Sequence, residues 1–301
     1  MRTLLALALA VGALALISAR ADDRCRLERY ASLEMGTDAT GGATVPVGIG
    51  GRTVNLLVDT GGISSMLTDG TVDRLGLERE PLPAAANVVM YGGKRLTHSV
   101  TARDIVLGTL TSAKKRFVVL PDGRLPSKID GTLAPDILAH VDVDFDFANA
   151  KLNLFSQDHC PGRVVYWTRD EIAKIPFELS SYGQIALHVR IDGKDVRAAF
   201  DTGTSRSVMS LERAEAMFGL KEDSPGMQPL DAPGVYRYAF KTLTFGGVTV
   251  GKPDIVLISD KYSRPVFGEP WLILGIGVMR QFHLFIAYSE SRLYVSTAGA
   301  H

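Results

Sequence analysis

Two aspartates in this chain close apolar runs, where a carboxylate is least at home. "VNLLVDTGG" carries Asp59-Thr60-Gly61, and "VRAAFDTGT" carries Asp201-Thr202-Gly203, 142 residues later. A carboxylate at the end of an apolar strand costs free energy unless it is hydrogen-bonded. The glycine that follows lets the chain turn so that backbone N–H groups point back at the acid. The threonine can anchor its loop against an opposite number. If the two loops face each other, two carboxylates share one site. Like charges a few ångströms apart resist double ionisation, so such a pair holds one proton between them. One acid can then act as base on a bound water and the other as acid toward the carbonyl that the water attacks.

That chemistry needs elements that bring the loops together, and the chain carries them twice. "IGGRTVNLLVDTG" (49–61) and "IDGKDVRAAFDTG" (191–203) are identical at 6 of 13 positions without a gap. Gly51 and Gly193 stand where a hairpin turn between two strands wants them. After each motif, Thr68 and Ser210 suit a helix N-cap, with Asp69 and Glu212 in the first turn. Gly76 and Gly219 follow as helix stops. "DIVLGTLT" from Asp104 answers "TLTFGGVT" from Thr242, and each half ends in an alternating hairpin, 140–155 and 281–296. The reading is a mainly β chain of two similar barrel-like lobes related by a pseudo-two-fold axis, with the Asp-Thr-Gly loops at their interface. The lobes are placed at residues 22–155 and 173–301, joined by a linker at 156–172. In "DVDFDF" (142–147) the alternation with Val and Phe predicts a strand with its acids outward and its apolar side chains inward.

With those loops quoted, the chain resembles aspartic peptidases of the pepsin and retropepsin type, in a bacterial, exported form. "DTGTS" (201–205) matches that family's active-site signature, whereas "DTGGIS" departs at Gly62, where Ala, Ser or Thr is usual. The family's second signature, two apolar residues and a glycine threaded behind each loop, is met by Ile273-Leu274-Gly275. In the first repeat it is met by Thr132-Leu133-Ala134, with Ala in place of Gly. The resemblance implies a bilobal pepsin/retropepsin-like fold and an aspartic endopeptidase. Asp59 and Asp201 would be catalytic, and Thr60, Gly61, Thr202, Gly203 and Thr204 would shape the loops, Thr204 by a hydrogen bond to one carboxylate. "VVMYGGKRL" (88–96) is similar to the family's flap, which makes Tyr91, Gly92 and Gly93 its tip. The matching stretch near Asp231–Gly234 is shorter, so one dominant flap is expected. The substrate class implied is a peptide or protein, with no cofactor and no metal. The competing reading is a peptide-binding or regulatory module of little or no turnover on the same fold, motivated by Gly62, Ala134 and the missing second flap. Without a hydroxyl at position 62 the pH optimum is expected nearer neutral than in pepsin-like digestive enzymes.

Composition bounds the rest. The 301 residues carry 33 basic and 33 acidic side chains, giving no net charge and no sign of a nucleic-acid partner. Arg2, the apolar run Leu4–Ile17 and Ala19-Arg20-Ala21 read as a signal peptide cleaved after residue 21. No later stretch is apolar enough to span a bilayer, so the expected compartment is the periplasm, with secretion as the alternative. The expected state is a monomer that is an internal pseudo-dimer. Cys25 and Cys160 either form one bridge or remain free thiols, the bridge being favoured in an exported chain. The histidines show no metal spacing, and His159 beside Cys160 is read as incidental. "GGVTVGKP" (246–253) lacks the Ser or Thr of a phosphate loop and lies between strands.

Overall fold

Positive backbone φ sets the first hairpin of each repeat. Gly50 and Gly51 (φ 55° and 77°) join the strands Ala43–Ile49 and Arg52–Val58. Asp192 and Gly193 (φ 46° and 82°) join Ile185–Ile191 and Lys194–Asp201. Two consecutive left-handed residues make the tight turn whose twist matches paired strands. In this computed structural model the described residues are 25–83, 86, 88–90, 94–261 and 271–299. The signal-peptide reading therefore lies outside the described residues.

Each hairpin's second strand is crossed by a strand from later in the same repeat. Arg52–Val58 runs parallel to Gly131–Leu133, and Lys194–Asp201 runs parallel to Leu272–Gly275. On their other side these late strands run antiparallel to Met66–Thr68 and Ser207–Ser210. The loop between the two neighbours must therefore arch over the end of the crossing strand. In the second repeat glycine stands under that arch, where a Cβ on Gly275 would lie 2.4 Å from the Arg206 carbonyl oxygen, while Ala134 holds the matching place in the first. Short helices follow, Asp69–Leu75 and Leu211–Phe218. Thr68 and Ser210 cap them by accepting the N–H of Thr71 and Arg213, and left-handed Gly76 and Gly219 stop them.

A six-stranded sheet spans both repeats in the order Arg29–Glu34, Lys151–Phe155, Asp142–Asp146, Phe282–Ala287, Arg292–Thr297, Ala173–Pro176. Its centre is the antiparallel pair Asp142–Asp146 and Phe282–Ala287, one strand from each half. Here the expectation of outward acids is corrected, because Asp142 and Asp144 are fully buried. One face of the sheet packs into the main core through Val143, Phe145, Leu284 and Ile286. The other is covered by the segment 156–172, whose Val164, Val165 and Trp167 pack on Phe155, Phe285 and Tyr294. An alternating strand wets one face only while nothing lies over it. The buried acids are paired instead. His159 Nε2 lies 2.5 Å from Asp142 Oδ2, and His283 Nε2 lies 2.6 Å from Asp144 Oδ1. His159 is thus not incidental. Tyr166 and Asn153 also donate to Asp144, and Trp167 stacks on the His283 ring at 4.2 Å. Cys25 and Cys160 are joined as a disulfide, fixing the same segment to the chain's early residues.

Among the described residues no helix is long and apolar enough to cross a membrane.

Candidate active site

The two Asp-Thr-Gly loops meet where the crossing strands of the two lobes end. The Asp59 N–H donates to the Leu133 carbonyl at 2.9 Å, and Asp201 stands in register opposite Gly275. Thr60 and Thr202, both fully buried, interlock the loops. The Thr60 hydroxyl accepts the Thr202 N–H (3.1 Å) and donates to the Phe200 carbonyl (2.8 Å). Reciprocally, the Thr202 hydroxyl accepts the Thr60 N–H (3.1 Å) and donates to the Val58 carbonyl (2.6 Å). Four hydrogen bonds thus tie the lobes at the base of the site, related by the same two-fold as the repeats.

Above this tie the carboxylates face each other. A Cβ on Gly61 would fall 2.3–2.6 Å from the Asp201 carboxyl atoms. One on Gly203 would fall 2.4 Å from Asp59 Oδ1 and 3.1 Å from Asp201 Oδ1. Each glycine is therefore bare because the opposite acid fills its side-chain space. Asp59 Oδ1 accepts the N–H of Gly61 (3.2 Å) and Gly62 (2.9 Å), and Asp201 Oδ1 accepts that of Gly203 (2.8 Å). Burial pushes Asp59 well above the ordinary carboxylate range. The charge of Asp201 and a hydrogen bond to it push the same way, against the two N–H groups. Burial also raises Asp201, opposed by the Gly203 N–H, a hydrogen bond from Asp59 and the N–H groups of Gly61 and Thr204. The richer set of donors on Asp201 opposes its burial more than the two N–H groups oppose that of Asp59, an arrangement in which such a pair can hold one proton in common.

Thr204 reaches the Asp201 carboxylate through its backbone N–H, while its hydroxyl donates to the Arg206 carbonyl at 3.4 Å. Gly62 and Ala134, both departures from the expected pattern, turn out to face each other. A Cβ on Gly62 would lie 3.2 Å from the Ala134 Cβ and 2.8 Å from Asp59 Oδ2. In the second repeat Thr204 and Gly275 hold the matching positions, and a Cβ on Gly275 would meet the Arg206 carbonyl oxygen at 2.4 Å. The expected flap tip, Tyr91, Gly92 and Gly93, lies outside the described residues. The residues flanking it pair as hairpin arms, Met90 N–H to Lys94 O and Leu96 N–H to Val88 O, both 2.9 Å. Among the described residues no group of three or more His, Cys, Asp or Glu side chains is arranged to hold a metal ion.

Sequence reasoning missed the groups behind the loops. Ser65 and Ser207, again 142 apart, accept the N–H of Ala134 (3.0 Å) and Gly275 (3.1 Å) through their hydroxyls. Their equal offset from the two aspartates was a readable signal. Asp136, Lys115 and Gln184, which donates to the Gly61 carbonyl, have no counterpart in the other repeat that would have marked them.

A family model described as aspartyl protease matches residues 45–136 and again 187–276. No curated protein matches the chain by sequence. Among solved structures, basic 7S globulin from soybean shares 13% identity at a TM-score of 0.54, over 91% of this chain and 96% of that one. Conglutin gamma from lupine seeds shares 12% at 0.54 over the same fractions. At such identity the likeness speaks for the fold, and the two-lobed, mainly β architecture expected from the repeats, with the pepsin-like fold that the resemblance implied, is the one this chain has.

Proposed function

Because the chain belongs to the aspartyl protease family, we propose that it is an endopeptidase in which Asp59 and Asp201 divide one proton and activate a water between them. The observation that carries this reading is the mutual fit of the loops. Each carboxylate occupies the side-chain space of the opposite glycine, and burial raises both acids. In the reaction ionised Asp201 takes a proton from the water as its oxygen bonds to the peptide carbonyl carbon. Asp59 gives its proton to the carbonyl oxygen, forming a neutral tetrahedral diol. Collapse of the diol breaks the C–N bond, and the nitrogen leaves with the proton that Asp201 had gained. The hydrogen on the second hydroxyl returns to Asp59, so the pair ends with one proton as it began. An extended peptide can pair with the hairpin arms at Val88–Met90 and Lys94–Leu96 by strand addition. The disulfide between Cys25 and Cys160 supports an oxidising compartment, for which we infer export to the periplasm or outside the cell.

A second reading, a peptide-binding module with little turnover, draws on Gly62 and Ala134. Their steric match weakens it, because one compensated contact accounts for both departures. Cleavage of a mixed peptide library by residues 22–301 separates the two. The wild type is expected to cleave, with a rate peaking well above about pH 2. Asp59→Asn and Asp201→Asn are expected to lose roughly a thousandfold or more of kcat/KM while staying folded. Wild-type cleavage rates in either variant would overturn the mechanism. Peptide binding without hydrolysis would favour the module.

A further inference from the structure

A charged side chain braces the loop that carries Asp59, and the matching position behind Asp201 is bare. Asp136, in the short helix Pro135–Leu138, accepts the Ser65 N–H (3.0 Å) and the Ser65 hydroxyl (2.6 Å) on Oδ1. Its Oδ2 accepts the Ser64 hydroxyl at 3.4 Å and pairs with Lys115 Nζ at 2.8 Å. Lys115 Nζ also donates to the Asp136 backbone carbonyl (3.0 Å), so the lysine fixes both the carboxylate and the residue bearing it. The pair is only 23% and 22% exposed, which limits solvent screening. Ser65 itself is fully buried, and its carbonyl accepts the Val118 N–H at 3.1 Å.

We propose that Asp136, held by Lys115, is a positioning residue that aligns the Gly61 and Gly62 N–H groups on Asp59. The effect on turnover rests on the protease reading, while the effect on the titration of the acid pair does not. The loop from Asp59 to Ser65 is fixed at one end by the Asp59 N–H to Leu133 and at the other by Ser65 to Asp136. Between them lie two consecutive glycines, which give the backbone more freedom than Gly203-Thr204 has in the second lobe. A loop with that freedom needs a firmer anchor to hold N–H groups at 2.9 and 3.2 Å from a carboxylate oxygen. In the second lobe Gly277 stands where Asp136 would. A Cβ there would lie 2.7 Å from the Ser205 carbonyl oxygen, and the Gly277 N–H bonds that oxygen directly at 3.1 Å. The nearest charged contact of that loop, Arg206 with Asp254 at 3.7 Å, is half exposed.

The test compares the wild type with Asp136→Ala, Asp136→Asn and Asp254→Asn by carbon-13 NMR titration of labelled aspartate carboxyls, alongside pH–rate profiles. N–H donors favour the ionised acid, so loosening them on Asp59, which keeps the shared proton, moves the second ionisation of the pair, and the basic limb of the profile, to higher pH. Asp136→Ala is expected to raise that ionisation by about one unit, a tenfold change in proton affinity. It should also lower kcat about tenfold with KM within about twofold. Asp136→Asn keeps an acceptor for Ser65 and should recover most of both. Asp254→Asn, at an exposed pair, should change neither. If Asp136→Ala does not fold, Lys115→Met should move the ionisation in the same direction. A fall in thermal stability with an unmoved titration would overturn the proposal. A moved titration in a protein that cleaves no peptide would uphold the brace and sink the protease reading.

Discussion

The Gly62–Ala134 contact shows how far one methyl group reaches at this site. Adding a Cβ at position 62 sets it 2.8 Å from Asp59 Oδ2 and 3.2 Å from the Ala134 methyl, closer than unstrained packing permits. Gly62→Ala is therefore expected to cost about 1–3 kcal/mol in urea unfolding. Ala134→Gly in the same chain should recover part of that, with a coupling of about 0.5–2 kcal/mol. Strict additivity of the two changes would show that the contact is not felt. The acids themselves give a pH prediction. Burial raises both Asp59 and Asp201, so the native state prefers the protonated form more than the unfolded chain does. Their contribution to stability is fully present below the unfolded carboxylate range and is lost as pH rises through the raised native values. Asp59→Asn and Asp201→Asn should therefore be progressively more stable than wild type between about pH 4 and pH 8. Parallel stability–pH curves would show that burial does not perturb the acids.

At the scale of elements, the site depends on strands that cross. The hairpins and helix caps are local matters. Gly51, Gly193, Thr68, Ser210, Gly76 and Gly219 were legible because turn and cap chemistry is written in a few adjacent residues. The parallel crossings by Gly131–Leu133 and Leu272–Gly275 pair residues roughly 75 positions apart. They were reachable only through the resemblance. The threonine tie is the element-level consequence of those crossings. Thr202→Val would remove the hydroxyl and strand the buried Thr60 N–H and Val58 carbonyl. A loss of about 2–5 kcal/mol is expected in thermal or urea unfolding, with Thr202→Ser keeping most of the stability. Equal stability of Thr202→Val and wild type would mean the tie does not hold the lobes.

Across the whole molecule, the lobes share a sheet whose two faces are both covered. Asp142 and Asp144 are buried there because the segment 156–172 lies over the side that alternation left to solvent. His283→Leu would leave Asp144 with its Tyr166 and Asn153 donors but without its histidine. Breaking a buried pair in this way should cost about 3–5 kcal/mol. Unfolding by urea, followed by Trp167 fluorescence since Trp167 stacks on the His283 ring, reads it directly. A cost near zero would mean that water or another group relieves the carboxylate.

The sequence by itself determined the repeat, the two Asp-Thr-Gly loops, the hairpin turns and the helix caps. Each of these rests on short-range backbone preference or on a pattern that recurs 142 residues later. It also carried the fold class, because two copies of one β unit must bury their apolar faces against each other. Only the tertiary structure decided which acids are buried, how Gly62 and Ala134 fit, and what stands behind each loop. Those outcomes depend on which distant segment covers a given face. Covering changes the solvation of a carboxylate far more than any neighbour in sequence does.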